Sequence, residues 1–129
     1  MEVGLTVANI HLAPGKGNSE LRMSQLAAVI DSSPAERIVV IGDTNTRASE
    51  ITNIKDSGLE VPDLPGPTWD SFRNRFNADS PRFKASFTRC ITHPDVKIRD
   101  LKILEGKVIR NEKSFHISDH FALFGRMQL

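Results

Sequence analysis

The sequence predicts an α/β domain, and three segments support this prediction. Segments 3–12 and 38–41 have the apolar content of strands, and the segment between them, 19–30, has apolar residues at helical spacing. A strand, a helix and a second strand in this order form an α/β unit. The four residues at 38–41 are all apolar and β-branched, so we expect this strand to be covered on both faces.

The elements themselves can be bounded by their capping residues. Ser19 is predicted to cap the first helix and Thr46 a second one, which Gly58 would end. The apolar face of the first helix would consist of Met23, Leu26, Ala27 and Ile30, and that of the second of Ile51 and Ile54. Alternation over 96–104 predicts a further strand, which Glu105 and Gly106 would turn.

Composition limits the class of protein. A length of 129 residues predicts a single domain, 1–129, and a net charge of +1 gives no basic field that would by itself indicate nucleic acid. The single cysteine, Cys90, favours a reducing compartment. Because there is neither a signal peptide nor an apolar stretch of membrane-spanning length, we expect an intracellular chain, in cytoplasm or nucleus, with no membrane partner.

Polar residues follow the apolar strand directly. Asp43 and Asn45 come after Gly42 and are two positions apart, so in an extended chain they project to the same side. A carboxylate and an amide at the rim of a sheet could form an active site. The alternative is a turn in which both side chains bond their own backbone.

Asp119 and His120 form a second polar pair, framed by apolar residues near the end of the chain. Together with Asp43 and Asn45 they supply two carboxylates, an amide and an imidazole from two separate strands. This set suits metal-assisted hydrolysis of a phosphoester. No Cys–His spacing indicates zinc, and no Gly-x-Ser-x-Gly motif indicates a serine nucleophile.

The segment 68–90 alternates aromatic and basic residues, with Arg73 and Arg75 among the latter. Aromatic rings beside guanidinium groups can stack bases and hold phosphates. A surface hairpin with its aromatic side chains packed inward and its arginines in solvent explains the pattern equally well.

Five motifs in this order carry a family resemblance. They are Asn9-Ile10-His11-Leu12, Glu20-Leu21-Arg22-Met23-Ser24-Gln25-Leu26, Gly42-Asp43-Thr44-Asn45, Thr68-Trp69-Asp70 and Ser118-Asp119-His120. The chain resembles the endonuclease/exonuclease/phosphatase superfamily, most closely its tyrosyl-DNA phosphodiesterase 2 type. The resemblance covers only the C-terminal half of that domain, and it implies half of a two-layer β-sandwich flanked by helices.

The resemblance also implies roles for single residues. Asp43 would orient or activate the attacking water, Asn45 would position the water or the phosphate, and His120 would contact the scissile phosphate. Asp119 would help to organise a site for Mg²⁺ or Mn²⁺. The substrate would be a DNA 5′ end, including a protein-linked one, bound by Trp69, His11, Arg73 and Arg75.

Two departures from the family pattern leave alternatives open. The Leu-Gln-Glu motif with the main magnesium ligand has no counterpart, and Thr88 stands where an Asp should hold the catalytic His. The chain could be an enzyme completed by a partner chain or a homodimer. It could instead be an inactive half-domain that binds nucleic acid or a protein, or a fragment of a longer protein, since it starts inside a strand. We expect weak magnesium binding at best.

Overall fold

A computed structural model describes residues 4–129 and confirms the predicted α/β unit. Strand β1, Leu5–His11, lies parallel to strand β2, Arg37–Asp43, and helix α1, Ser19–Asp31, connects them. Strand β5, Thr88–Thr92, pairs antiparallel with the other edge of β2, so β2 is the central strand of three. Val3, where the predicted first strand begins, lies outside the described residues.

Helix α2, Ala48–Asp56, joins α1 on one face of this sheet. The alternating side chains Ile38 and Val40 of β2 point into that layer. Its buried cluster comprises Leu12, Leu26, Ile38, Val40, Ile54, Val61 and Ile91. This layer is a hydrophobic core that holds the strands in place, and it thereby determines where the ends of the strands lie.

The predicted N-terminal helix caps were wrong, whereas Gly58 does follow the end of α2, with φ 90°. Ser19 is the first residue of α1 and follows Asn18, and α2 follows Arg47. The Thr46 hydroxyl instead lies 2.7 Å from the hydroxyl of Thr44, in the buried turn before α2. The Thr46 side chain therefore bonds a residue that precedes the helix, and it does not cap α2.

The apolar face predicted for α1 was only partly right. Leu26 is buried, whereas Ala27 is exposed. The most buried residue of the helix is Arg22, whose side chain is fully enclosed and paired with Glu50 of α2. Spacing alone could not reveal this, because a buried guanidinium needs a partner from another element.

The second face of the sheet is only partly covered. Val39, Cys90 and Val96 form a small buried cluster there, but Val7 and Ile41 are 54% and 39% exposed. The expectation that segment 38–41 is covered on both faces therefore holds for Val39 and fails for Ile41. Strands β6, Lys97–Leu104, and β9, Ala122–Gln128, pair with each other and close one side of an open apolar groove of about 400 Å³.

Four short strands complete the described chain. Strands β3, Trp69–Asp70, and β4, Lys84–Ala85, form a two-residue ladder. Strands β7, Lys107–Arg110, and β8, Lys113–His116, form a hairpin of their own. Among residues 4–129, no helix is long and apolar enough to cross a membrane.

Candidate active site

The end of β2 determines the position of Asp43 and Asn45. The backbone N–H of Asn45 donates to Asp43 Oδ1 over 3.0 Å, and Asn45 adopts a left-handed conformation with φ 49°. The Asn45 amide donates to the carbonyl of Leu12 over 2.9 Å, which ties the ends of β1 and β2 together. The local turn that we considered as the alternative is thus present for Asp43 only, because the Asn45 side chain bonds a carbonyl of another strand end. It leaves Asp43 Oδ2 free to face outward from the rim.

Thr44 anchors this turn from below. Its backbone N–H and its hydroxyl both donate to the carbonyl of Phe87, each over 2.8 Å, and the side chain is fully buried. Because Phe87 directly precedes β5, the turn after β2 is fixed to the neighbouring strand. The carboxylate of Asp43 therefore sits on a rigid support.

Two imidazoles face the same oxygen of Asp43. His11 Nε2 lies 3.4 Å and His120 Nε2 lies 3.3 Å from Asp43 Oδ2. His11 ends β1 directly opposite Asp43 in the sheet register, and its side chain is 74% exposed. The carboxylate is consequently the centre of a group with two ring nitrogens on its open side.

Thr88 contacts the other nitrogen of His120, with Oγ1 2.9 Å from Nδ1. His120 Nε2 lies 3.3 Å from Asp43 Oδ2 as an ion-pair contact. The Thr88 hydroxyl can donate to an unprotonated Nδ1 or accept from an Nδ1–H. The hydroxyl thus satisfies both forms of the ring but supplies no charge.

Asp119 is held next to this group by a polar loop. Asn77 donates to Asp119 Oδ2 over 2.8 Å, and the buried Asn74 donates to the carbonyl of Ser118 over 2.7 Å. The segment after β3 therefore fixes the loop that carries His120. Asn74 and Asn77 gave no signal in the sequence, because their function depends on a contact more than 40 residues away along the chain.

The surface around Asp43 and His120 forms a depression. Three aromatic side chains line one side of it and are here called the aromatic wall: Trp69, Phe83 and Phe87. Trp69 stacks on Phe83 with 5.6 Å between ring centroids and meets the edge of His120 at 5.1 Å. Phe87 lies against both Trp69 and Phe83. The indole Nε1 of Trp69 is buried and has no hydrogen-bond acceptor among the described residues.

Arg47 also lines the depression, and the sequence reasoning missed it. Its guanidinium lies 4.7 Å from the centre of the Phe87 ring and bonds the carbonyl of Asn45. A cation over an aromatic face near the site can hold an anionic or aromatic group. The sequence feature that could have indicated Arg47 was its position two residues after Asn45.

The structure thus brings six of the eight predicted site residues into one depression and leaves two outside it. The six are Asp43, Asn45, Asp119, His120, Trp69 and His11. Arg73 forms an ion pair with Glu105, and Arg75 reaches only the carbonyl of Ala78 over 3.4 Å. Neither arginine lines the depression, so any role in substrate binding would involve a more distant part of the substrate.

The donor set does not fit a magnesium ion. Among residues 4–129, no group of three or more His, Cys, Asp or Glu side chains is arranged to hold a metal. The nearest partners of Asp43 Oδ2 are nitrogen atoms, and Asp119 Oδ2 already accepts from Asn77. Magnesium prefers six oxygen ligands in an octahedron. These side chains alone do not supply them.

Comparisons with known proteins bear on the fold. No family model and no curated protein matches the sequence. The structure of TDP2 from D. rerio, solved with a single-strand DNA product, matches with 20% identity and a TM-score of 0.75, covering 95% of this chain and 56% of that one. Truncated TDP2 from Caenorhabditis elegans matches with 23% identity and a TM-score of 0.62, covering 91% and 51%.

A third solved structure that the chain matches is named for the family. An endonuclease/exonuclease/phosphatase family protein from Leptotrichia buccalis matches with 18% identity and a TM-score of 0.55, covering 81% of this chain and 41% of that one. The chain thus spans about half the length of the solved structures that it matches. At these identities the likeness concerns the fold. The chain has the endonuclease/exonuclease/phosphatase fold over about half of such a domain, as its sequence motifs indicated.

Proposed function

We propose that the chain carries the catalytic group of a phosphodiesterase that hydrolyses a phosphodiester at a DNA 5′ end, including a protein-linked end. The observation that carries this proposal is Asp43 Oδ2 between the Nε2 atoms of His11 and His120. A carboxylate flanked by two imidazoles can orient a water molecule, and the rings can hold phosphoryl oxygens beside it.

The reaction would be an in-line displacement. A water oriented by Asp43 attacks phosphorus and loses a proton to the carboxylate. The bond from phosphorus to the leaving oxygen breaks, and that oxygen keeps the electron pair and takes a proton from solvent. His120 Nε2–H stabilises the negative charge that develops on the phosphoryl oxygens. Thr88 keeps the His120 ring oriented throughout.

The aromatic wall supports the choice of substrate. Trp69 and Phe83 form a stacked pair beside His120, and Arg47 lies over Phe87. A base or a tyrosyl ring at the scissile end can pack against such a wall. The D. rerio TDP2 structure contains a single-strand DNA product, which fits this choice.

Hydrolysis of a 5′-phosphotyrosyl oligonucleotide with Mg²⁺ or Mn²⁺ tests the proposal, with Asp43→Asn as the matched variant. We expect turnover that Asp43→Asn reduces at least 100-fold, because the variant keeps the shape of the side chain and removes its charge. Equal turnover by both proteins would contradict the proposal. Because the proposed substrate is a protein-linked DNA end, we also propose a role in DNA repair, in the nucleus or cytoplasm.

The metal requirement that the resemblance implies is a separate prediction. Since the described side chains do not form a magnesium site, we expect the chain alone to bind Mg²⁺ with a dissociation constant on the order of millimolar or weaker. Isothermal titration calorimetry measures this directly. Micromolar binding would show that the chain completes a site with ligands that we have not recognised.

A second candidate function is an inactive half-domain that binds nucleic acid or a protein partner. Thr88 favours this candidate, because a hydroxyl cannot stabilise a charged imidazole as a carboxylate does. Binding of the oligonucleotide by the folded chain without any cleavage, in the presence of either metal, would select this candidate over the enzyme.

A further inference from the structure

The β7–β8 hairpin has a surface that the candidate active site does not use. Every residue of β7 is exposed, as are the first three of β8, and the two strands pair only with each other. Val108 faces Phe115 and Arg110 faces Lys113 in the ladder. Residues opposite each other or two apart share a face of the sheet. These four side chains therefore form one face, here called the outer face.

The outer face combines apolar and cationic groups. Val108 and Phe115 are each 50% exposed, and Ile109 on the opposite face is 80% exposed. Residues 107–116 contain three cationic side chains and one carboxylate, a net charge of +2 on a chain whose total is +1. The carboxylate, Glu112, lies in the turn with Asn111, and both have positive φ. Positive charge is thus concentrated on this hairpin.

The base of the hairpin is fixed to the body of the domain by Glu105. Its carboxylate lies 3.0 Å from Lys107 Nζ and 3.5 Å from His116 Nε2, and it also pairs with Arg73. The bond from Lys107 lowers the pKa of Glu105, so this carboxylate stays charged. Because Lys107 and His116 lie on the opposite face, the outer face is turned away from Glu105.

The hairpin is also close to the candidate active site along the chain. Ile117 follows β8, and its N–H donates to the carbonyl of Gly106 over 3.0 Å. His120 comes three residues later, so the base of the hairpin lies within about 10 Å of His120. A polymer that leaves the site can therefore reach the outer face within a few units.

We infer that the outer face of the β7–β8 hairpin binds a single-stranded nucleic acid segment continuing from the candidate active site. Arg110 and Lys113 contact consecutive phosphates, and Phe115 stacks on a base, as in other single-strand sites. Spaced cations beside an exposed ring favour this occupant over an acidic peptide, which offers no bases to stack. The inference rests on the proposed function, because the proposed active site determines where the nucleic acid segment begins and in which direction it runs.

Fluorescence anisotropy with oligothymidylates of 4 and 12 nucleotides tests the inference. We expect Arg110→Gln/Lys113→Gln to weaken binding of the 12-mer about tenfold. The slope of log K against log salt should decrease by about 1.4, since each phosphate contact on a single strand contributes about 0.7. Phe115→Leu should weaken binding severalfold without changing the slope. The 4-mer should bind all variants equally.

Lys55→Gln/Lys97→Gln is the matched control, because it removes two exposed charges from α2 and β6. The inference is overturned if this control weakens 12-mer binding as much as the hairpin variant does. It is also overturned if neither the unmodified chain nor any variant binds the 12-mer. Polyglutamate serves as an acidic peptide probe, and the inference is overturned if the hairpin variant loses binding of polyglutamate but not of the 12-mer.

A small chromogenic phosphodiester separates this inference from the proposed function. Hairpin variants should hydrolyse it like the unmodified chain, because the substrate does not reach the hairpin. If Asp43→Asn leaves its hydrolysis unchanged while the hairpin variants weaken 12-mer binding, the proposed function fails and the hairpin surface stands.

Discussion

At the residue scale, Thr88 places a hydroxyl beside the imidazole of His120. The ring of His120 is held between Thr88 and Asp43, so its orientation depends on groups at both nitrogens. Asp43 supplies a negative charge on the open side of the ring. In this arrangement Thr88 orients the His120 ring, and Asp43 polarises it.

Thr88→Val should therefore lower hydrolysis by up to about tenfold, since a hydrogen bond between neutral groups is worth about 0.5–1.5 kcal/mol. Thr88→Ser keeps the hydroxyl and should retain activity. The ¹⁵N resonance of His120 Nδ1 should move in the valine variant and not in the serine variant. An unchanged resonance in Thr88→Val would show that Thr88 does not orient the ring.

Arg22 and Glu50 are the second case in which single residues organise the site. Arg22 bonds both oxygens of Glu50, each over 2.8 Å, and also donates to the carbonyls of Ala13 and Gly15. Glu50 in turn accepts from the backbone of Arg47. One buried pair thus joins both helices to the loop that borders the depression.

This pair predicts acid sensitivity. Burial alone would raise the pKa of Glu50, but the hydrogen bonds from Arg22 and Arg47 outweigh it and hold the pKa below the ordinary 4.5. A depressed carboxylate pKa stabilises the fold above about pH 4.5 and loses this contribution as the pH falls through the folded value. Thermal denaturation between pH 7 and pH 3 should show this loss.

Glu50→Gln should be about 3 kcal/mol less stable at pH 7, since it leaves a buried guanidinium without its charge partner, and its stability should depend less on pH. Glu20→Gln, on the exposed side of α1, is the control and should behave like the unmodified chain. A Glu50→Gln stability curve parallel to that of the unmodified chain would mean that other groups cause the acid sensitivity.

At the scale of elements, the end of β2 depends on Gly42. Its φ is 133°, and a Cβ at this position would overlap the carbonyl oxygen of Ile10 on the adjacent strand. Close approach of β1 and β2 at this point places His11 opposite Asp43. The site geometry and the sheet register are therefore set by the same glycine.

Gly42→Ala should destabilise the fold by more than about 2 kcal/mol, because both the backbone conformation and the space exclude a side chain. Gly17→Ala is a matched control, since a Cβ there would meet no atom within 4 Å. Chemical denaturation of both variants measures the difference. Equal midpoints would mean that β1 and β2 can separate without cost.

At the scale of the whole molecule, one face of the sheet remains open. Val7 and Ile41 are exposed there, together with Phe124 and Met127 of β9, which are 64% and 45% exposed. Open apolar faces of this kind are normally covered by another surface. The partner chain or homodimer predicted from the sequence would cover this face, and it stays a prediction.

Sedimentation velocity over a range of concentrations tests this prediction. We expect the chain to form dimers at micromolar concentration and Phe124→Lys to remain monomeric, because a charge on the open face opposes association. Lys55→Glu on α2 also alters charge, and it serves as a control at an exposed position away from this face. A monomer at all concentrations would exclude the homodimer and leave a different partner.

The sequence by itself determined the α/β unit, the central strand and the residues of the polar rim. Apolar periodicity and the position of Asp43 and Asn45 directly after β2 are local features, and local features are readable along the chain. The ordered motifs also indicated the fold and its extent, about half a domain.

Only the tertiary structure decided which groups meet. The pairing of Arg22 with Glu50, the contact of Thr88 with His120 and the hold of Asn74 on Ser118 join residues 28 to 44 positions apart. The Thr46 hydroxyl likewise lies against the hydroxyl of Thr44 and does not cap α2. Sequence pattern records which residues are apolar, whereas the partner of a buried polar group depends on how the elements pack.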